Sequence, residues 1–138
     1  MKSYCISAYG QPLVEHDDDM PVPSGAEVLI EVVGCGVCHS DVHIWEGFFD
    51  MGGGRKADMS RAHQLPFTMG HEIAGTVSAV GESATAAIGD TVVVYPWIGC
   101  GECDVCQAGD ENVCLVPRNL GVHRPGGYAT HVLVPDGC

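Results

Sequence analysis

A mainly β fold, a barrel with little helix and one cysteine-rich lobe, is what this sequence predicts, and three observations predict it. Nineteen glycines and eight prolines in 138 residues punctuate the chain with turns, which suits short strands better than long helices. Between those turns recur runs rich in valine, isoleucine and tyrosine, residues that fit a pleated, half-buried surface. Four of the eight cysteines crowd into residues 100–114. The length fits a single domain with a real core, as do a hydrophobic content of 46% and a mean hydropathy of +0.13. No internal repeat or linker divides residues 1–138.

Residues 2–8 (KSYCISA) read as the first strand. An acidic loop and PVPSG follow, and residues 27–33 (EVLIEVV) read as a strong strand that GCG at 34–36 ends. Ser40 and Asp41 are both good helix N-caps, so one or two helical turns are expected over 42–46. Residues 47–66 read as an irregular, glycine-rich excursion of the length that is commonly functional. Its GGGRK lacks the Gly-Lys-Ser/Thr ending of a phosphate loop and reads as a solvated turn. HEIAGTVSAVG at 71–81 predicts a strand ending at glycine, Gly89-Asp90 a turn into a strand over 91–95, and YATHVLVP at 128–135 the last strand.

A net charge of -12 argues against nucleic acid and against an anionic membrane surface, both of which call for a basic face. EHDDD at 15–19 reads as a solvated loop in preference to a cation site. The N-terminus lacks the apolar stretch of a signal peptide, and no apolar run reaches membrane-spanning length. Eight cysteines without an export signal point to thiols kept for metal in a reducing cytoplasm. Cys5 and Cys35, in or beside strands, read as plain buried thiols.

Cys100, Cys103, Cys106 and Cys114 form a C-x2-C-x2-C-x7-C pattern. Short-spaced thiolates of this kind suit a tetrahedral zinc ion. A disulfide cluster and four ordinary thiols are the plainer readings; a ferredoxin run would carry a proline after its last cysteine, where Leu115 stands. A four-thiolate zinc site leaves no coordination position open, so chemistry has to come from elsewhere.

A second group is Cys38, His39, Ser40, Asp41 and His43, together with His71 and Glu72. Cys38 follows one strand and His71 opens another, so both stand where loop geometry can bring ligands together. A catalytic zinc takes a mixed thiolate and imidazole set with one open position. Taken singly each of these residues reads equally as an ordinary core or surface side chain.

The segments GCGVCHSDVH (34–43), GHEIAGTV (70–77), GDTVVV (89–94), the four-cysteine run and GGYATH (126–131) occur in the order found in medium-chain zinc-dependent alcohol dehydrogenases. The chain resembles their GroES-like catalytic domain from near its start to about Pro135, which implies a partly open β-barrel with short helices and a zinc lobe. The resemblance implies roles for individual residues. Cys38 and His71 would ligate a catalytic zinc, with Glu72 able to exchange into its shell. Asp41 would orient the His71 ring. Ser40 would hydrogen-bond the substrate alcohol and His43 would complete a proton relay, while His39 would contact the cofactor pyrophosphate. Trp45, and with it Tyr95 or Trp97, would line a substrate pocket if they are not simply barrel core. Cys100, Cys103, Cys106 and Cys114 would hold the structural zinc near subunit contacts. The implied reaction oxidises an alcohol to an aldehyde or ketone, with NAD or NADP as cofactor, in a homo-oligomer.

The sequence departs from that family pattern in two ways. It contains no strand, G-x-G-x-x-G and helix unit, and no cysteine at the distance expected of the third catalytic ligand, since Cys138 comes too early. Two expectations follow. The chain is the catalytic portion of a longer dehydrogenase, inactive without its nucleotide-binding domain and exposing an apolar face where that domain would sit; or it is a stand-alone zinc-binding module without redox activity. In the first case the 47–66 excursion borders the substrate entrance.

Overall fold

The computed structural model describes residues 1–60 and 62–135; Cys138 lies outside the described residues. In chain order the elements are β1 (Lys2–Ile6), β2 (Val14–Asp17), β3 (Glu27–Gly36), α1 (His39–Glu46), β4 (Phe48–Asp50), β5 (Lys56–Asp58), β6 (Phe67–Thr68), β7 (Glu72–Val80), β8 (Thr91–Val93), α2 (Asp104–Gln107) and β9 (His131–Pro135). A 3-10 turn, Glu111–Val113, follows α2. The strands form three sheets in the orders β2-β1-β6, β8-β7-β3-β9 and β4-β5. The architecture is mainly β, as expected, and no closed barrel forms among the described residues.

The antiparallel pair of β3 and β7 positions everything else. It runs from Val28 opposite Val80 to Gly36 opposite Glu72, with register shifts at Leu29/Ile30 and Val32/Gly34. The second shift is a bulge that lets the strand pass through Gly34 to Gly36 instead of ending there. Val28 and Ile30 of β3, Ile73 and Val77 of β7, and Val132 and Val134 of β9 share one core with Leu120. Their two-residue spacing puts them on one face of the sheet, and each such burial contributes about 1.5–3 kcal/mol. Ile6, Ile44, Phe67 and Met69 form a second core that clamps α1 against the β1 sheet.

Four local expectations are corrected. The first strand stops at Ile6, and much of the acidic stretch is strand: Glu15–Asp17 lie in β2, paired with Lys2–Tyr4. An edge strand tolerates charge on its outer face, and here Lys2 and the Tyr4 hydroxyl both bind the Glu15 carboxylate. Residues 47–66 hold the β4–β5 hairpin, turned through Gly52, Gly53 and Gly54, all at positive φ. Only glycine enters that region at no steric cost, so the glycine run that reads as loop is the turn of a hairpin. The last strand starts at His131; Tyr128 to Thr130 instead tie back to β1, through Tyr4 N to Tyr128 O at 2.8 Å. No helix among the described residues is long and apolar enough to cross a membrane.

Candidate metal centres

The four-cysteine lobe leaves the sheet after Ile98 and returns by Arg118, whose N–H donates to Ile98 O at 2.8 Å. Its sulfurs all lie within 4.8 Å of one another, with Cys100 and Cys106 3.9 Å apart and Cys103 and Cys114 3.8 Å apart. A disulfide would need about 2.05 Å. Four sulfurs about 2.3 Å from a tetrahedral zinc stand about 3.8 Å apart, which is the spacing found. Backbone N–H groups of Cys100 and Val116 point at Cys114 Sγ, and that of Cys103 at Cys100 Sγ, each at 3.3 Å. Such donors favour thiolate over thiol. Backbone bonds at Cys103 hold its pKa down at about 6, while burial and then the neighbouring thiols push Cys106 up to about 12. Four thiolates together need a cation.

The second centre is assembled by three elements. The turn from β3 into α1 delivers Cys38, α1 delivers Asp41, and the turn into β7 delivers His71. Cys38 Sγ lies 3.1 Å from His71 Nε2. On the far side of the ring, His71 Nδ1 faces Asp41 Oδ1 at 3.5 Å, and neither atom has another hydrogen-bond partner. Asp41 is 2% exposed and its Oδ2 accepts from Cys38 N at 2.9 Å. The carboxylate therefore holds the ring from behind and leaves Nε2 and Sγ facing each other as a pair that could hold a metal. Two converging donors, with a buried carboxylate reserved for the other ring nitrogen, fit a metal bound between thiolate and imidazole.

Local sequence sets this geometry. Cys38, in place of Ser40 or Asp41, is the N-cap of α1: its sulfur accepts from Ser40 N at 3.2 Å while Asp41 returns a bond to Cys38 N. A thiolate is a better acceptor than a thiol, so the same interaction caps the helix and prepares the ligand. Asp41 hydrogen bonding and charge raise His71 to about 9 against the cost of burial. Burial opposes charge on Cys38 and Asp41 too, yet the hydrogen bonds win and both stay below their ordinary values. A metal bound at this pair would release the imidazolium proton.

The other expected residues fall around this centre at different ranges. Ser40 is half-buried with its side chain on Cys38. His43 lies one turn on, its ring 4.4 Å from that of exposed His39 and 4.8 Å from Phe49 of the hairpin. Glu72 is not among the ligand atoms gathered at Cys38; its carboxylate rests over Gly36, where a Cβ would meet Oε2 at 2.1 Å. Trp97 lines a cleft of about 440 Å³ with His71 and Glu72. Trp45 lines another, of about 230 Å³, with Asp41 and Met69. Tyr95 is exposed. Cys5 is buried, hydrogen-bonded to Thr68, and burial holds the Cys35 thiol up at about 11, protonated and inert.

Gly70 and Tyr128 are site residues that sequence reasoning did not single out. Gly70 turns the chain into His71 at φ +95°, and a Cβ there would sit 2.5 Å from the Tyr128 ring and 2.8 Å from Cys35 Sγ. Positive φ costs a non-glycine residue about 1–2 kcal/mol, and the rigid ring cannot retreat freely. Gly70→Ala is therefore expected to destabilise the chain by about 3 kcal/mol from strain and overpacking together, measured by urea unfolding. A change below about 1 kcal/mol would mean the turn relaxes without moving His71.

The described residues thus form a mainly β domain with two groups that could hold a metal ion, Cys100, Cys103, Cys106 and Cys114 in the lobe and Cys38, Asp41 and His71 beside the β3–β7 pair. The alcohol dehydrogenase GroES-like domain family matches residues 24–138, and the chain belongs to that family. It is 42% identical over 136 residues to an NAD-dependent alcohol dehydrogenase of Sulfurisphaera tokodaii, covering 98% of this chain and 38% of the relative. Among solved structures it superposes on an NAD-dependent alcohol dehydrogenase with a TM-score of 0.82 at 33% identity, over 98% of this chain and 37% of that one. A cobalt- and zinc-bound thermostable alcohol dehydrogenase from Pyrobaculum aerophilum matches with a TM-score of 0.78 at 31% identity, over 98% and 39% of the two chains. The chain thus spans about two fifths of the length of the relatives it matches.

Proposed function

We propose that this chain is the catalytic-domain portion of a zinc-dependent alcohol dehydrogenase that oxidises an alcohol to an aldehyde or ketone by hydride transfer to NAD or NADP. The observation that carries the reading is Cys38 Sγ 3.1 Å from His71 Nε2, with Asp41 reserved for Nδ1. The relatives' dependence on NAD, and the zinc in the Pyrobaculum structure, support it.

Cys38 and His71 would hold the catalytic zinc, and Cys100, Cys103, Cys106 and Cys114 the structural one. Zinc bound at the first site would polarise the alcohol oxygen and make its proton acidic. Asp41 keeps the His71 ring in place. Ser40 Oγ accepts the hydrogen bond of the substrate hydroxyl and passes a proton to the His43 ring, which exchanges it with solvent. His39, exposed at the start of α1, would meet the cofactor pyrophosphate. Glu72, parked over Gly36, is the carboxylate closest in sequence to His71 and would exchange into the metal's shell. Trp97 and Trp45 would line the path of the carbon skeleton. Exposed Val33 and Val37, 80% and 73% accessible, suit a face covered by a nucleotide-binding domain. Seven free thiols among the described residues suit a reducing, cytoplasmic setting, and a homo-oligomeric whole enzyme belongs to the same reading.

The test uses the chain alone and the chain joined to a nucleotide-binding domain that supplies the remaining ligand. Alone, it should reduce no NAD(P)+ with any alcohol and should retain about one zinc, in the lobe. Joined, it should turn over. A joined protein that holds the lobe zinc yet never turns over would return the reading to a zinc-binding module without redox activity.

A further inference from the structure

We propose that Tyr128 is a positioning residue of the Cys38–His71 centre, its hydroxyl donating to the Asp41 carboxylate and thereby fixing the His71 ring. The inference rests on the metal-site reading above.

Tyr128 is placed to act on all three elements of the centre at once. Its backbone N–H donates to Met69 O at 3.0 Å, just before the turn that presents His71. Its ring fills the space beside Gly70 that a Cβ would otherwise occupy. Its hydroxyl lies 3.5 Å from the carbonyl of Gly36 at the end of β3, and Tyr128 lines one cleft together with Asp41, whose Oδ1 has no hydrogen-bond partner. The surrounding cleft is otherwise apolar, lined by Val37, Val42, Trp45 and Met69 among others. A buried hydroxyl without a partner costs about 1–3 kcal/mol, so its single proton has to choose.

The choice falls on Asp41 for two reasons. A charge-assisted bond to a carboxylate is about twice as strong as one to a neutral carbonyl. Asp41 Oδ1 is also buried without a partner in good geometry, and a buried carboxylate held by too few donors is expensive. A chain results in which Tyr128 holds Asp41, Asp41 holds His71 Nδ1, and His71 Nε2 faces Cys38. Partners one step behind a metal ligand set the ligand's orientation, and their loss weakens metal affinity.

Cobalt titration of the chain, with the lobe already filled by zinc, tests this through the absorption of a Cys38 thiolate bound to cobalt. Tyr128→Phe keeps the ring and removes only the hydroxyl; it should weaken cobalt binding about tenfold, with the lobe zinc retained and the thermal midpoint little changed. Asp41→Asn should weaken it at least as much. The double variant should be no weaker than Asp41→Asn alone, because the tyrosine acts through the aspartate. Tyr128→Phe binding cobalt within about twofold of the unaltered chain, or losses that add in the double variant, would overturn the inference while leaving the metal site intact. An unaltered chain with no cobalt signal that depends on Cys38 would instead remove the metal-site reading itself.

Discussion

On the proposed function, Cys38→Ala, made in the chain joined to a nucleotide-binding domain, should lower kcat/KM for alcohol oxidation by about 10³-fold or more. Lewis-acid stabilisation is worth several kcal/mol, and each 1.36 kcal/mol is about tenfold in rate. Cys38 is one of three groups, with Asp41 and His71, that could hold a metal at this site among the described residues. The same sulfur caps α1, and losing a cap costs about 1 kcal/mol of stability. Cys38→Ser separates the two roles: a hydroxyl caps well but is a poor zinc ligand at neutral pH. Serine should therefore restore stability without restoring turnover. Both variants should keep the lobe zinc, since Cys100, Cys103, Cys106 and Cys114 lie in a separate cluster. An alanine variant that retains more than about a tenth of the activity would show that the metal chemistry does not depend on this thiolate.

Removing the lobe zinc should do something different in kind: a local collapse with the sheet left standing. Only Ile98 and Cys114 are buried apolar residues between 98 and 114, and neither α2 nor the 3-10 turn buries any side chain. Val113, Leu115 and Val116 are exposed. A segment with so little core cannot offset its own chain entropy, so the four sulfurs around one ion hold it. Structural zinc in finger peptides binds with apparent free energies of about 10–16 kcal/mol. Chelation, or Cys103→Ser, should therefore raise amide exchange over residues 100–116 by about 10³-fold, while the β3–β7 ladder stays protected. Gly99 is part of the same fit, since a Cβ there would meet Cys106 Sγ at 2.7 Å; Gly99→Ala should weaken zinc retention without touching the sheet. Unchanged exchange after complete zinc removal would mean that the loop folds without a metal.

How legible the sites are depends on how far apart their parts stand in the chain. The lobe could be read directly because its ligands fall within fifteen residues and C-x2-C spacing is itself a ligand-pair spacing. Cys38 and His71 are separated by more than thirty residues, so their residue types suggest a metal without showing that they meet. The helix cap misled for a chemical reason: Ser40 and Asp41 are the usual caps, and a cysteine caps well only when held as thiolate. Glu15 and Asp17, and the glycines 52–54, misled because composition reports exposure more faithfully than backbone pairing. An edge strand and a tight hairpin are both exposed and both hydrogen-bonded.

The sequence by itself determined the mainly β class, the four-cysteine lobe, and which residues had the chemistry to hold a metal. Those depend on composition and short spacings, which act locally. Only the tertiary structure decided that Asp41 stands behind His71, that Glu72 rests over Gly36, and that Tyr128 and Gly70 support the turn between them. Each of these relations depends on the β3–β7 register and its bulge. A shift of one residue in that register would turn every side chain of the strand to the opposite face, and no single stretch of sequence records where the bulge falls.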